Sequence, residues 1–279
     1  MDLVIQAPAI APDDLASLVA LAQPVEVTSE HAAMAQAYRL HRVVGDAAIG
    51  PACERAGVDH ALVAEAFTRD RVRLVAMDMD STLITIECID EIADFVGIKP
   101  QVAAITASSM RGEIDFRESL TRRVGLLAGL GVEALQRVYD ERLRLSPGAE
   151  TMLAGFKAVG ARTLLVSGGF TFFTDRLKAR LGLDETVSNT LEIVDGRLTG
   201  RIDGAIVDAE VKAARFSALR NALCADGGIA VAIGDGANDL PMLRAADFSV
   251  AYRAKPIVRR ETSCAIDRCG LDAALNLFG

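Results

Sequence analysis

The stretch Leu74-Val75-Ala76-Met77-Asp78-Met79-Asp80-Ser81-Thr82 decides the fold. Its opening apolar run has no polar interruption and reads as a strand buried on both faces, as in a parallel sheet covered by helices. The run then delivers two carboxylates two positions apart. In a continuing strand Asp78 and Asp80 would point to opposite faces. If the strand ends at Asp78 and turns, both converge on one point, and the ends of parallel strands are where open α/β sheets bind ligands. The same residues also suit a plain turn whose Asp, Ser and Thr cap the next helix. The stretch therefore needs partners elsewhere in the chain before it speaks for any chemistry.

Those partners lie downstream. Arg162 to Val166 is a second apolar strand finishing at Ser167-Gly168-Gly169, Ile229 to Ile233 a third ending in Gly234-Asp235-Gly236, and Phe248 to Ala251 a fourth. Helical patterns separate them: Ala149, Met152, Leu153 and Phe156 up to Gly160, a helix from about Phe172, and Val211 to Leu223, which carries Lys212. Leu191 to Val194, Asp195-Gly196 and Arg197 to Thr199 form a hairpin signature. Strands alternating with helices imply an α/β fold with a doubly wound parallel sheet.

Between the first two strands the pattern is helical throughout. Ile89, Ile92, Ala93 and Val96 share a face up to Gly97, Val102 to Met110 is a second helix, Asp115 to Leu127 a third and Val132 to Leu143 a fourth. The stretch 88–145 is too long for a crossover and is expected to be a helical cap on the ligand end of the sheet. In the third helix Phe116, Leu120, Arg123 and Leu127 lie along one face. A guanidinium inside an apolar stripe either snorkels to solvent or meets an anion.

Upstream, residues 1–70 form a separate block with 4 basic against 10 acidic residues and all three histidines. Leu3 to Gln6, Val25 to Thr28 and Leu40 to Val44 read as strands, and Leu15, Leu18, Val19 and Ala22 as the apolar face of a helix opened by Pro12. A module this small has a marginal core of its own, so it is expected to dock on the rest of the chain or on a second copy, giving a homodimer. Its role, regulatory, dimerising or supporting, stays open.

Composition narrows the class. The chain has 279 residues, 51% of them hydrophobic and 24% charged, with a net charge of -8 and no basic run, which argues against nucleic acid or an anionic membrane as partner. The first residues lack a basic n-region and no apolar run approaches a membrane span, so a cytoplasmic location is expected. Five cysteines without a C-x-x-C pair indicate neither a disulfide framework nor a zinc site. Only five lysines occur, so each one in a meaningful place carries weight.

Three strands ending in Asp78, Ser167 and Asp235 are more than one helix cap explains. Carboxylates from two strands meeting at one sheet edge are costly unless a cation sits between them, and Mg²⁺ suits hard oxygen ligands. Lys212, the Ser167 hydroxyl and the Gly168 amide are the donors wanted around a phosphoryl group. Competing motifs fail. Leu165 occupies the first glycine position of a nucleophile elbow. No P-loop precedes any lysine, and the Gly234 to Asp239 stretch lacks the third glycine of a dinucleotide fingerprint.

The ordered set DMDST, LLVSGG, an isolated lysine and GDGANDLPML resembles the four motifs of the haloacid dehalogenase-like phosphohydrolase superfamily from Arg73 to about Asp267, and within it the phosphoserine phosphatases. Ser81 stands where the superfamily commonly has glycine, as it does in that branch. The resemblance implies Asp78 as the nucleophile that forms an aspartyl-phosphate, and Asp80 as the acid and base for leaving group and water. Mg²⁺ would be held by Asp78, Asp235 and the Asp80 carbonyl, with Asn238 and Asp239 ordering its shell. It further implies Ser167, Gly168 and Lys212 as phosphate donors. L-Phosphoserine would be bound by Glu87 at its ammonium, Arg123 at its carboxylate and Met110 and Phe116 as an apolar wall, with Asn238 also at the substrate. The alternative within the same fold is a phosphatase or phosphotransferase acting on another small phosphorylated metabolite.

Overall fold

The computed structural model describes residues 1–32, 35–45 and 47–279. Two sheets organise them. The first is antiparallel, in the order β2-β3-β1-β4, from β1 (Asp2–Ala7), β2 (Glu26–Ala32), β3 (Ala35–His41) and β4 (Asp59–Val63). The second has seven strands: β5 (Val72–Met77), β6 (Arg162–Phe170), β7 (Glu185–Val194), β8 (Arg197–Asp203), β9 (Ile229–Gly234), β10 (Phe248–Tyr252) and β11 (Cys264–Ile266). Their order is β11-β10-β9-β5-β6-β7-β8, and every pairing is parallel except that of β7 with β8.

β5 is central and its residues alternate between two cores. Val75 and Met77 pack into the larger cluster, with Ile233, Leu165 and Phe156, while Leu74 and Ala76 pack on the other face with Val166, Phe216 and Leu243. Period-two alternation with both faces buried is what an uninterrupted apolar strand produces under helices on both sides. The doubly wound parallel core is thus observed.

Between β5 and β6 the chain builds helices Cys88–Phe95, Lys99–Met110, Phe116–Gly125 and Glu133–Arg137. The last continues directly into a π-helical turn over Val138–Arg142, closed by the Leu143 amide on the Val138 carbonyl, so the helix expected over Val132 to Leu143 is present with a widened last turn. This insertion is zipped to the β7–β8 hairpin, where the Gly129 amide donates to the Leu198 carbonyl and the Leu198 amide to that of Leu130. The hairpin turn uses left-handed φ values of 50° at Asp195 and 74° at Gly196, as its dipeptide predicts.

Two boundaries differ from expectation for identifiable reasons. β6 does not stop at Ser167 but runs to Phe170: its pairing with β7 lapses after Val166 and resumes at Phe170 opposite Asn189, leaving Ser167, Gly168 and Gly169 in a bulge. The strand expected at Leu40 to Val44 is β3, which ends at His41 because Arg42 turns left-handed at φ 51°. β4, β11 and the helix Ile49–Ala56 were not anticipated.

In β1, Leu3, Ile5 and Ala7 face a local core with Leu18, Ile49 and Cys53, whereas Val4 joins the main core together with Ala61 and Val63 of β4. The two sheets are also sewn together by polar bonds. Asp59 accepts from the amides of Asp267, Arg268 and Cys269 at 3.0 to 3.3 Å, Arg39 donates to the Asn276 carbonyl at 2.8 Å, and the Asn276 amide group to Gln6 at 2.9 Å. No helix among the described residues is long and apolar enough to cross a membrane.

Candidate active site

The chain leaves β5 toward β6 on one side, while β9 lies on the other. Where strand order reverses in this way, the carboxyl ends diverge and open a crevice. Asp78 follows β5, Asp235 follows β9, and Ser167 lies in the β6 bulge, so all three meet at that crevice. They line a cavity of about 300 Å³.

The floor is built from buried ions. Asp78 Oδ1 accepts from the Met79 amide at 2.7 Å and from Lys212 Nζ at 2.9 Å. Oδ2 makes no hydrogen bond among the described residues. Lys212 sits on helix Ala209–Leu223, whose first turn is fixed by Asp208 accepting from the Val211 amide at 3.0 Å. Its ammonium is 1% exposed and also reaches Asp239 Oδ1 at 2.9 Å. Burial alone would lower it, but Asp239 and Asp78 outweigh burial and hold it above its ordinary range.

Asp235 accepts from the Thr82 hydroxyl at 3.1 Å, and burial, with the Asp78 charge added, pushes its carboxyl up to about 6. Asp78, Asp235 and Asp239 each offer an oxygen within 4.8 Å of the others. Lys212 neutralises only part of this charge, and hard oxygen donors so disposed fit a divalent cation.

Asp80 accepts from the Cys88 amide at 3.1 Å. Burial, then the charges of Glu87 and Asp78, hold its carboxyl well above the usual range. Its approach to the bulge depends on glycine, since a Cβ on Gly169 would stand 2.9 Å from Asp80 Oδ2. The Ser167 hydroxyl is 1% exposed and accepts from the Gly169 amide at 2.8 Å. Ser81 is left-handed at φ 56° and donates to Glu87 Oε1 at 2.7 Å. Partial withdrawal from water raises the Glu87 carboxyl, although it stays open to the cleft, and the Asp235 and Asp78 charges raise it further.

The opposite wall comes from helix Phe116–Gly125, started by Asp115 accepting from the Glu118 amide at 2.8 Å. The Phe116 ring lies against Gly168, where a Cβ would be 2.9 Å from it. One helical repeat later, Arg123 faces the same cleft. Burial pulls its guanidinium down while Asp90, Glu87 and Asp80 pull it back up, and its bond to protein is a long one, to the Ser119 carbonyl at 3.4 Å.

Of the residues singled out from sequence, Asp78, Asp80, Glu87, Phe116, Arg123, Ser167, Gly168, Asp235 and Asn238 line one cleft. Lys212 and Asp239 lie behind it, bonded to each other. Met110 is not brought to it: it ends helix Lys99–Met110 and is 72% exposed. Sequence reasoning missed Asp90, Thr106 and Lys255, which also line the cleft, and Asn189, which fixes the bulge by donating to the Gly168 carbonyl at 2.8 Å. Lysine scarcity was a usable signal for Lys255, and Thr106 lies one turn before Met110 on the same helix. A lone buried Asn gives no signal.

The family model described as haloacid dehalogenase-like hydrolase matches residues 75–244. A phosphoserine phosphatase of Polaromonas sp. strain JS666 is 53% identical over 210 residues, covering 74% of this chain and 89% of that protein. Among solved structures, a HAD family hydrolase from Salmonella enterica serovar Typhi superposes with a TM-score of 0.88 at 33% identity, over 100% of this chain and 99% of that one. A probable phosphoserine phosphatase from Vibrio cholerae gives 0.84 at 34% identity, over 99% and 85%. The match takes in most of β5, the bulge of β6, helix Ala209–Leu223 and the end of β9, the segments that carry the acids and the buried lysine, and so the chain belongs to the haloacid dehalogenase-like hydrolases.

Proposed function

We propose that the chain hydrolyses L-phosphoserine to L-serine and phosphate with Mg²⁺, the closing step of serine biosynthesis in the cytoplasm. The observation that carries this reading is the presence of both Glu87 and Arg123 in the cleft that also holds Asp78 and Asp80. A phosphomonoester bearing one ammonium and one carboxylate supplies the partner that each lacks. The relatives' names favour the same substrate.

Asp78 attacks phosphorus through an oxygen not held by Lys212, and the bond from phosphorus to the serine oxygen breaks. Asp80, whose raised carboxyl favours the protonated form, gives its proton to the departing serine oxygen. Water then attacks the phosphoryl group on Asp78, Asp80 takes the water proton, and the bond from Asp78 to phosphorus breaks to release phosphate. Lys212 lends positive charge beside Asp78, while Ser167 and the Gly168 amide hold phosphoryl oxygens. Side chains of Asp78 and Asp235 with the Asp80 carbonyl would hold Mg²⁺, Asn238 and Asp239 ordering the surroundings. The ion's contribution is to neutralise charge on the transferring group. Phe116 excludes water from the cap side.

Residues 1–70 add no lining to the cleft among the described residues, and we take that unit as a support for the hydrolase core. Phosphate release from L-phosphoserine, from phosphoethanolamine and from a panel of other small phosphates, each with Mg²⁺ or with chelator, tests the function. L-Phosphoserine is expected to lead the panel and chelator to abolish turnover. No turnover of any ester, or a preference for one lacking the amino group, overturns the reading.

A further inference from the structure

The turn after β5 has to reverse sharply. The Leu83 amide closes on the Asp78 carbonyl at 3.3 Å, the Ile84 amide on that of Met79 at 3.0 Å and the Ser81 amide on that of Ile86 at 3.2 Å. Its bend is at Ser81, φ 56° and ψ 0°. Left-handed backbone crowds any side chain with a Cβ, and glycine is the residue that adopts it freely. Asn and Asp are the usual exceptions and serine is not. Ser81 follows Asp80 and is bonded to Glu87, both of which line the cleft. Among the described residues the other non-glycine positions of this kind are Gln23, Arg42, Asp195 and Arg253, none of which adjoins a lining residue in sequence. A residue kept in an unfavourable conformation beside a cleft points to a job for its side chain.

The job is visible in its one side-chain bond. The Ser81 hydroxyl donates to Glu87 Oε1 at 2.7 Å. Glu87 heads helix Cys88–Phe95 yet caps no amide with its side chain, and among the described residues it forms no ion pair. Without Ser81 this carboxylate would be a freely rotating chain at the cleft mouth. With it, Oε1 is occupied and Oε2 is left for a ligand. Ordering a flexible glutamate at the moment of binding costs side-chain entropy, and a bond made beforehand removes that cost.

We propose that Ser81 is a positioning residue that holds Glu87 for the ammonium of an amino-bearing phosphomonoester, and that this task keeps a serine at a position the backbone alone would give to glycine. The proposal rests on the reading of Glu87 as the ammonium partner. It makes amine selectivity depend on the catalytic turn itself as well as on the cap.

The test uses the full chain with Ser81→Ala, Ser81→Gly, Glu87→Gln and the double variant Ser81→Ala/Glu87→Gln. kcat and KM are measured on L-phosphoserine and on 3-phosphonooxypropanoate, the same ester without its ammonium. Losing one hydrogen bond to a charged acceptor should raise KM for L-phosphoserine by roughly five- to tenfold in both serine variants, and lower the preference for it over the deamino ester by the same factor. In the Glu87→Gln background the Ser81→Ala change should add nothing, because both act on one interaction. Ser81→Gly should melt above Ser81→Ala, since glycine relieves the bend. If Glu87→Gln discriminates between the esters but Ser81→Ala harms both equally, or adds fully to Glu87→Gln, the positioning role is wrong while Glu87 keeps its own. If Glu87→Gln itself harms both esters equally, the ammonium reading of Glu87 fails and the proposal falls with it. Ser81→Gly melting below Ser81→Ala would refute the argument from backbone strain.

Discussion

At the floor of the cleft, Asp78, Ser167, Lys212 and Asp239 are at most 5% exposed and each is fixed by a backbone amide or a neighbouring ion. At the walls, Arg123 keeps a single long bond to a carbonyl, Glu87 one bond to a hydroxyl, and both face open space. The floor has its donors and acceptors fixed in place before any substrate arrives, which is the condition for stabilising a transition state without reorganisation. The walls leave theirs open to a ligand. Changes at the floor should therefore appear in kcat, and changes at the walls in KM and in the choice of substrate.

The largest effect should come from Asp78→Asn, which keeps the shape but removes the nucleophile: a loss of about 10⁴-fold or more in kcat is expected, with a near-native melting curve. Retained activity would take Asp78 out of the chemistry. Asp80→Asn should cost about 10²- to 10⁴-fold on L-phosphoserine. With p-nitrophenyl phosphate, whose leaving group needs no proton, the first-turnover burst should survive. Absence of that burst would count against Asp80 as the acid.

Crossing to the wall, Arg123→Ala should lower kcat/KM for L-phosphoserine by roughly 10- to 100-fold, the worth of a charge-assisted bond. Phosphoethanolamine, which has no carboxylate, should lose much less, and equal losses would make the arginine structural. The acid cluster predicts a pH effect of a few degrees. The Asp235 carboxyl lies near 6 in the fold against 3.8 as its ordinary value, so between these the folded form binds more protons than the unfolded one. Stability without metal should then fall as pH rises from about 4 through about 6. Mg²⁺ must displace that proton, so the melting shift it gives should be smaller at about pH 5 than at about pH 7.5. A shift independent of pH would remove Asp235 from the ion's neighbours. Smallest of all, Met110→Ala should stay within about 0.5 kcal/mol in stability and transition-state binding. A tenfold loss of kcat/KM would reveal a closed state that brings Met110 inward.

The same contrast explains what could be seen in the sequence. Asp78 and Asp235 follow apolar strands and Ser167 lies where the apolar run of β6 gives way to its bulge, so these three could be placed at one edge from the apolar runs that precede them. Phe116 and Arg123 were legible because residues seven apart share a helical face. Met110 was not, because only Val102 of its helix is buried and the pattern gives no orientation. Thr82 acts through a hydrogen bond across 153 residues and Asn189 through bonds across 18 to 21, and no local pattern records such pairings. β4 and β11 are short strands of 5 and 3 residues whose pairing depends on tertiary context.

The seam between the sheets also has a consequence in time. Asp59 finds its amide partners 208 residues later, and Gln6 meets Asn276 after 270. At about 5–20 residues per second of synthesis, this separation leaves the antiparallel sheet waiting for about ten seconds to a minute. Throughout that interval Val4, Ala61 and Val63, which the finished fold buries in the main core, lack the share of that core that comes from residues 264–278. The nascent chain thus carries an incompletely covered apolar sheet face through most of its translation, and its yield in the cell should depend on keeping that face apart from its neighbours on the polysome until those residues are made.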